Sequence, residues 1–402
     1  MQGEKQLVPK LRFSEFEESW EKEIISNISD KITDGTHDTP KQSDRGIPFL
    51  TAVHVKDGNI DFENCYYLSE EEHNKIYSRC NPELGDLLMV NIGSGTATSA
   101  MVNVTYEFSL KNVALIKPNK SKVYPGFLAQ IQRRNSARLK HQISSGGAQP
   151  FLSLKSIGKL KLIIPSIKEQ QKIASFLTSI DTQIQTLEKK KILLEQYKKG
   201  VMQKIFKQEL RFKDDGGNAY PDWEFKNGNL LFKSISDKNH NSDLPILAVT
   251  QDQGAIPRHL INYNIGVSEK SVDSYKVVQV GDFIISLRSF QGGIEYSNYK
   301  GICSPAYIIL KPIDELDRAF YKYYLKTSNY IQELTKKLEG IRDGKMISYK
   351  YFSEIKLPYP SVKEQVKISN FLTEIDKNIN LVNTKIEHTK AYKKGLLQQM
   401  FV

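Results

Sequence analysis

The second half of this chain repeats the first. Pro165-Ser166-Ile167-Lys168-Glu169-Gln170 returns, with one conservative change, as Pro360-Ser361-Val362-Lys363-Glu364-Gln365, and the match runs on at a constant offset and without a gap to Phe206 and Phe401. It takes in Phe176-Leu177-Thr178 with Phe371-Leu372-Thr373, Ile180-Asp181 with Ile375-Asp376, and Tyr197-Lys198-Lys199-Gly200 with Tyr392-Lys393-Lys394-Gly395. Each copy also opens alike: Leu11-Arg12-Phe13 followed by Trp20-Glu21, and Leu210-Arg211-Phe212 followed by Trp223-Glu224. Two tandem units in one chain behave as a tethered dimer, so the natural target has two similar, separated halves.

Each repeat core begins with a helix signal. Ser166 with Glu169 and Ser361 with Glu364 fit the S-x-x-E capping box, in which the serine takes the N3 amide and the glutamate returns to the cap amide. Apolar residues then fall at Ile173, Leu177, Ile180, Ile184, Leu187, Leu194, Val201 and Ile205, and again at Ile368, Leu372, Ile375, Ile379, Val382, Ile386, Leu396 and Met400. This is a seam of period ~3.5, the mark of a coiled-coil stripe. A helix of about 37 residues would be roughly 55 Å long, and neither could bury so narrow a stripe alone. The expected solution is that the two pack on each other antiparallel, related by a pseudo-two-fold; the other arrangement is that each packs only on its own domain. Lys191 and Lys198 on the seam, and Gly200 and Gly395 within it, predict that the last turns loosen or kink.

Ahead of each long helix lies a larger segment of mixed strand character. Ile47–Val53, Leu87–Ile92, Ala100–Val104, Val113–Lys117 and Lys159–Ile164 read as strands in the first; Leu244–Val249, Tyr275–Val280, Phe283–Leu287, Tyr307–Leu310 and Glu354–Leu357 read as strands in the second. Both contain a Gly-Asp turn before an apolar run, at Gly85-Asp86 and Gly281-Asp282, and both end in an amphipathic helix, near Tyr124–Ile143 and near Asp317–Leu338. The two segments share a plan, yet they have diverged far more than the long helices. That suggests one plan carrying two specificities.

Lys and Arg outnumber Asp and Glu by 57 to 46, a net charge of +11, which favours a polyanionic partner through counterion release. The three cysteines, Cys65, Cys80 and Cys303, form no CxxC pair, and the seven histidines show no metal-ligand spacing, so no disulfide framework or metal site is expected. No apolar run reaches the ~18 residues of a membrane span and the polar start lacks a signal-peptide core, so the chain reads as cytoplasmic. There is no GxxxxGK[ST] loop and no strand-anchored GxGxxG. Ser145-Gly146-Gly147 and Gln291-Gly292-Gly293 lack the following Lys and hydroxyl, and read as tight loops.

The polar loops look more like reading heads. Asp34-Gly35-Thr36-His37-Asp38-Thr39-Pro40 presents hydroxyls and an imidazole suited to phosphates or base edges, or else is a turn in which Thr36 or Asp38 caps and His37 is incidental. Asn91, Ser94 and Thr96 follow the first Gly-Asp turn; Arg288, Ser289 and Gln291 follow the second. Arg and Gln suit bidentate contacts to guanine and adenine, and are also common on surfaces. Arg133, Arg134 and Arg138, and Arg342 with Lys345, are candidates for phosphate contact or for a solvated helix face, and Arg258-His259 has the same standing.

These residues together resemble a known family, the specificity subunits of type I restriction-modification enzymes. The repeated P-S-[IV]-K-E-Q box with its long helix, the Asp34-Gly35-Thr36-His37-x-Thr39-Pro40 stretch, the Gly-Asp strands and the Gly146-Gly147-Ala148-Gln149-Pro150 loop are similar to that family's patterns. The second segment departs from them: it has Leu244-Pro245 without a D-G-T-H, and Gly340-Ile341-Arg342-Asp343-Gly344-Lys345 in place of the Gly-Ala-Gln loop. The resemblance implies an α+β fold of two mixed α/β target-recognition domains, residues 1–163 and 209–358, separated and followed by long helices at 164–208 and 359–402 that pack as an antiparallel coiled coil. It implies a noncatalytic subunit that reads one bipartite site in double-stranded DNA, half with each domain, with Lys31 and Gln149 joining the candidate contacts above. It also implies two modification subunits, which use S-adenosylmethionine to methylate adenine N6, docked along a seam that includes Ile173, Leu177, Ile180, Ile184 and Leu187 and Ile368, Leu372, Ile375, Ile379 and Val382. Restriction subunits using ATP and Mg2+ would add cleavage, and this chain itself would bind no cofactor. The rival readings are a scaffold whose charge is incidental and a self-contained enzyme with a disguised site.

Overall fold

Leu87 to Val90 and Val113 to Ile116 are apolar at successive rather than alternate positions, and every one of them is at most 1% exposed. Such runs need cover on both faces, so they become the middle of a sheet. In the computed structural model, which describes residues 7–144, 150–240, 243–261, 269–313, 315–336 and 347–402, strands Ser29–Asp34, Val113–Pro118, Leu87–Val90 and Ser99–Met101 lie side by side in that order, each pair antiparallel. The second half builds the same antiparallel sheet from Phe232–Ile235, Ile308–Pro312, Phe283–Ile285 and Glu295–Tyr296. Both Gly-Asp turns serve this frame. Gly85 and Gly281 take φ of +95° and +91°, a region that favours glycine, and the following aspartates accept backbone N–H groups from Glu83 and Gln279 at 2.9 and 2.8 Å.

Smaller pairings surround each frame. In the first half Ile47–Thr51 lies between Tyr66–Leu68 and Ser109–Lys111; in the second, Leu247–Thr250 pairs with Gly254–Pro257 and Lys276–Val278 with Gly301–Cys303. Each expected strand has an observed strand overlapping it, several shorter or shifted by a few residues and two, Val113–Pro118 and Ile308–Pro312, longer. Helix Glu70–Tyr77, capped by Ser69, was not expected. The first amphipathic helix spans Pro125–Ser144. The second, expected as one helix near Asp317–Leu338, is two, Arg318–Tyr324 and Ser328–Thr335, because Thr327 turns out of the helix and its hydroxyl caps the next one by accepting from Tyr330 N; Leu338 lies outside the described residues.

The long helices run Ile167–Phe206 and Val362–Gln399, 40 and 38 residues. Both continue helical through Gly200 and Gly395. The chain forms two units, Met1–Lys189 with Asn383–Val402, and Lys190–Val382, so each long helix contributes one part to each unit. In the first unit Asp181 meets Lys393 at 2.5 Å and Glu188 meets Lys390 at 2.8 Å, numbers that rise on one helix as they fall on the other. The helices are therefore antiparallel. In the second unit the equivalent pair, Lys198 with Asp376, closes at 2.6 Å.

Both packing arrangements considered from the sequence hold in part. Ile173, Leu177, Ile180 and Ile184 share one core with Trp20, Phe127 and Ile131 of their own domain and with Leu396, Met400 and Phe401 from the far end of the other helix. Ile368, Leu372 and Ile375 do the same with Trp223, Phe320 and Tyr323 and with Val201 and Ile205. Ile379 and Leu187 are only partly buried, while Val382 is 5% exposed.

The repeated box has a structural explanation that differs from the capping box. The glutamates do not return to the cap. Glu169 is 1% exposed and binds Arg12 through two hydrogen bonds of 2.8 and 2.7 Å, with Trp20 Nε1 at 3.3 Å; Glu364, fully buried, takes Arg211 at 3.2 Å. Gln170 donates to the Pro165 carbonyl at 2.8 Å and accepts from Tyr124 N at 2.8 Å, and Gln365 does likewise with Pro360 and Asp317, at 2.8 and 2.9 Å. The Leu-Arg-Phe openings and the P-S-[IV]-K-E-Q boxes are the two halves of one joint. Strand pairs Glu21–Ile24 with Lys161–Ile164, and Glu224–Asn227 with Lys356–Tyr359, hold it closed in each unit.

Candidate nucleic-acid interface

Strand Ser29–Asp34 ends at a polar turn whose path is set by glycine. A Cβ at Gly35 would stand 2.0 Å from the Leu110 carbonyl oxygen, which Thr36 N needs as its acceptor at 2.9 Å. This close approach lifts His37 to the surface, 57% exposed, with one ring nitrogen 2.9 Å from Asp34 Oδ2 and the other 3.0 Å from Asn112 Oδ1. Asn112 sits at φ +54° to reach it. Arg79, which sequence reasoning missed, donates to the Gly35 carbonyl at 2.6 Å while remaining 56% exposed. Lys31 donates to the Arg79 carbonyl at 2.8 Å, and Lys111 reaches the Thr39 hydroxyl. One surface thus gathers an imidazole, a guanidinium, two ammonium groups and several hydroxyls on a fixed backbone, a donor set suited to phosphates and base edges.

The loop after Leu87–Val90 divides into frame and tip. Asn91 and Thr96 are 1% and 2% exposed, so in this conformation they cannot meet a ligand; Thr96 Oγ1 donates to the Gly93 carbonyl at 2.6 Å and Asn91 O accepts from Leu152 N at 2.8 Å. Their burial comes from the loop folding against Pro150–Leu152, a contact that spacing could not reveal. Ser94 is the exposed tip.

The second unit carries a different loop at the same place in its sheet. Arg288 and Gln291 are exposed, whereas Ser289, 1% exposed, turns inward and accepts from Ser286 N at 2.8 Å. Gln251, from the neighbouring hairpin, donates to the Arg288 carbonyl and to Gln291 Oε1, both at 3.4 Å. Thr250, Gln251, Asp252, Gln253 and Arg288 line a groove of about 420 Å³. Beneath it Lys326 donates to the carbonyls of Gln251 and Gly292 at 3.0 and 2.8 Å and meets Glu295 at 2.5 Å. Burial pushes the Glu295 carboxyl up to about 7 despite that ammonium. Asp237-Lys238-Asn239-His240 follows Phe232–Ile235 just as the His37 turn follows its strand, a counterpart the sequence comparison did not find. Arg258 and His259 lie on the short helix Arg258–Leu260, with His259 exposed.

The arginines of Pro125–Ser144 behave differently from expectation. Arg133 pairs with Asp181 at 3.2 Å and Asp57 at 3.3 Å, and Arg134 donates to the Val402 carbonyl at 3.1 Å beside Phe401. Both are spent inside the first unit, because their helix face packs on the long helices; Arg138 is exposed. Gln149, Arg342 and Lys345, with the Ser145–Gln149 loop, lie outside the described residues.

His73 stands between Ser109 Oγ at 2.9 Å and Glu107 Oε2 at 3.1 Å, which imitates a hydrolytic triad. Ser109 is wholly buried, so no substrate could reach it. Among the described residues no group of three or more His, Cys, Asp or Glu could hold a metal, and no helix is long and apolar enough to cross a membrane.

A second kind of surface lies along the long helices. In the first unit a groove of about 690 Å³ is bordered by Asp181, Ile184, Lys390, Lys393, Lys394 and Leu397; in the second, one of about 450 Å³ is bordered by Asp376, Ile379, Glu195, Lys198, Lys199 and Met202, the repeat equivalents. Hydrogen bonds from Lys393 and Gln130 hold the Asp181 carboxyl low against the opposing effect of its burial. Tyr197 and Tyr392 are 53% and 58% exposed, and apart from the adjoining backbone of the helix itself nothing lies within 4 Å of where a Cβ on Gly200 or Gly395 would stand.

Comparison with known proteins agrees with this architecture. A family model described as the type I restriction modification DNA specificity domain matches residues 17–196 and again 223–390. A protein of Methanocaldococcus jannaschii described as the specificity subunit of a type I restriction enzyme, MjaX, is 26% identical over 410 residues, covering 96% of this chain and 94% of the relative. The MjaVIII specificity subunit of the same organism is 26% identical over 283 residues, 64% of this chain and 65% of that one. Among solved structures, the S subunit of a type I system from M. genitalium superposes with a TM-score of 0.61 at 15% identity, covering 98% of this chain and 99% of its own. A chain from a study of assembly and conformational transition of the type I R-M system gives 0.55 at 17% identity, covering 95% and 97%.

Proposed function

Because this chain belongs to the type I restriction-modification DNA specificity family, as a noncatalytic specificity subunit, we propose that its two units read the two halves of one bipartite DNA site. The observation that carries this reading is the pairing of like frames with unlike tips. Both units build the same four-stranded sheet; the loop that exposes Ser94 in the first exposes Arg288 and Gln291 in the second, with Gln251 beside them, and the turn that carries His37 in the first carries Asp237-Lys238-Asn239-His240 in the second. A common frame delivers each head to a duplex in the same way, and different side chains read different bases.

The long helices hold the heads at a fixed spacing and dock the modification subunits. Support for docking comes from the repeat itself. Tyr-Lys-Lys-Gly is identical in the two copies, yet its tyrosines are exposed and its glycines face open space, so the intramolecular fold does not require them. Two like surfaces that share this motif suit two identical partners. On this reading the modification subunits bring S-adenosylmethionine for adenine N6 methylation, and restriction subunits, where present, bring ATP and Mg2+ for cleavage.

The test is single-molecule mapping of N6-methyladenine in DNA from cells expressing this chain with its modification subunit. A two-part motif with a fixed gap, methylated on opposite strands in its two halves, is expected. A confirmed complex that leaves no chain-dependent methylation would favour the scaffold reading instead.

A further inference from the structure

Lys326 ends the turn that separates Arg318–Tyr324 from Ser328–Thr335, and its surroundings are unusual for a lysine. Its side chain is 27% exposed, and its ammonium group holds two backbone carbonyls and one carboxylate: the Gln251 carbonyl at 3.0 Å, the Gly292 carbonyl at 2.8 Å and the Glu295 carboxylate at 2.5 Å. Those carbonyls belong to two separate loops. One is the Thr250–Gln253 hairpin turn, the other is the turn carrying Arg288 and Gln291, and Gln251 stitches them together from above. Glu295, 2% exposed, is the first residue of the edge strand that follows the second loop, and its other oxygen is buried without a hydrogen-bond partner among the described residues. A buried acid so poorly provided for is costly, and only the lysine answers it.

The same lysine lines the groove beside the long helices, with Thr327, Ser328, Lys198 and Asp376. It thus stands between the surface proposed to dock a partner and the loops proposed to read bases. In the first unit the corresponding helix position, one turn beyond the residue that contacts the long-helix aspartate, is Arg133, which holds Asp57 and Asp181. It reaches the turn between Val55–Lys56 and Asn59–Ile60 through the Asp57 carboxylate, and among the described residues it binds no loop carbonyl. Among the described residues a clamp on two loop carbonyls is found in the second unit and not at Arg133.

We propose that Lys326, anchored by Glu295, is a specificity-determining positioning residue: it touches no base, and fixes the register of Gln251, Arg288 and Gln291 against the second half-site. A bidentate contact tolerates little displacement, so loops released from a common ammonium would accept more than one base. The inference rests on the bipartite reading above, and the unaltered first unit supplies the control that separates the two.

The experiment compares the methylated motifs produced by the wild-type complex with those of Lys326→Met and Glu295→Gln, using the full chain with its modification subunit. For Lys326→Met the ratio of methylation at altered second half-sites to that at the original should rise about tenfold or more, as loss of one good base contact would give, with the first half-site read as before. Glu295→Gln, close in shape and leaving the two carbonyl contacts in place, should show a smaller rise in the same half, and decides the matter if Lys326→Met fails to assemble. An assembled complex of either variant that keeps the wild-type motif in both halves overturns the assignment. Equal relaxation of both halves also overturns it, since that would mean general loosening. If the wild-type complex itself yields no two-part motif, the bipartite reading is at fault rather than the clamp.

Discussion

Glu169 and Glu364 are carboxylates almost without access to water, and each has one guanidinium to answer it. Removing one member of such a pair costs more than the pair contributes, because the other stays charged and buried. Arg211→Met should therefore destabilise the chain by about 3–5 kcal/mol in urea denaturation, and a second change, Glu364→Gln, should recover most of it. Equal loss in the single and double variants would show that the arginine acts through packing alone. Glu295 offers a pH signature. Its carboxyl is pushed by burial from an ordinary 4.5 to about 7, so the folded chain keeps a proton that the unfolded chain has released. Stability from this group is complete below pH 4.5 and falls as pH rises through 7, by at most about 1.4 kcal/mol per pH unit. Glu295→Gln should be less sensitive to pH than the wild type between pH 5 and 7; parallel urea midpoints for the two proteins across that range would contradict the assignment.

Gly200 and Gly395 lie inside continuous helix, where glycine costs about 1 kcal/mol relative to alanine, and neither has a neighbour that a methyl group would strike. Gly395→Ala should stabilise the isolated chain by roughly 0.5–1 kcal/mol and weaken capture of the modification subunit, measured by titration calorimetry. Stabilisation with undiminished capture would remove these glycines from the docking surface. The long helices themselves were readable, because a 3.5-residue period over many turns is a local signal. So were the strands that are apolar at every position. What the sequence concealed is what depends on distant contacts. The S-x-x-E spacing suggested a cap, whereas Arg12, far away in the chain, claims Glu169; one amphipathic stretch became two helices at Thr327; and Asn91 and Thr96 are buried by a loop that folds on Pro150. Arg79 escaped notice for the same reason, since its place depends on the Gly35 carbonyl and not on any motif.

On the proposed reading the long helices act as a ruler, and a ruler can be altered. Deleting one heptad from both shortens each by about 10 Å, close to three base pairs of duplex. The methylated motif should keep both half-sites and change its gap, and an unchanged gap would take spacing away from the helices. The core of the first unit carries a consequence for the making of the protein. Trp20 and Phe127 are closed over by Phe401, with Leu396 and Met400 beside it. A domain whose core includes Trp20 and Phe127 therefore waits for residues synthesised hundreds of positions later before its hydrophobic face is covered. The second unit, whose residues are contiguous from Lys190 to Val382, faces no such delay. Translation order and folding order are inverted: a nascent chain halted before Leu396 would hold a complete second head and an unsealed first one, a natural substrate for chaperones and proteases.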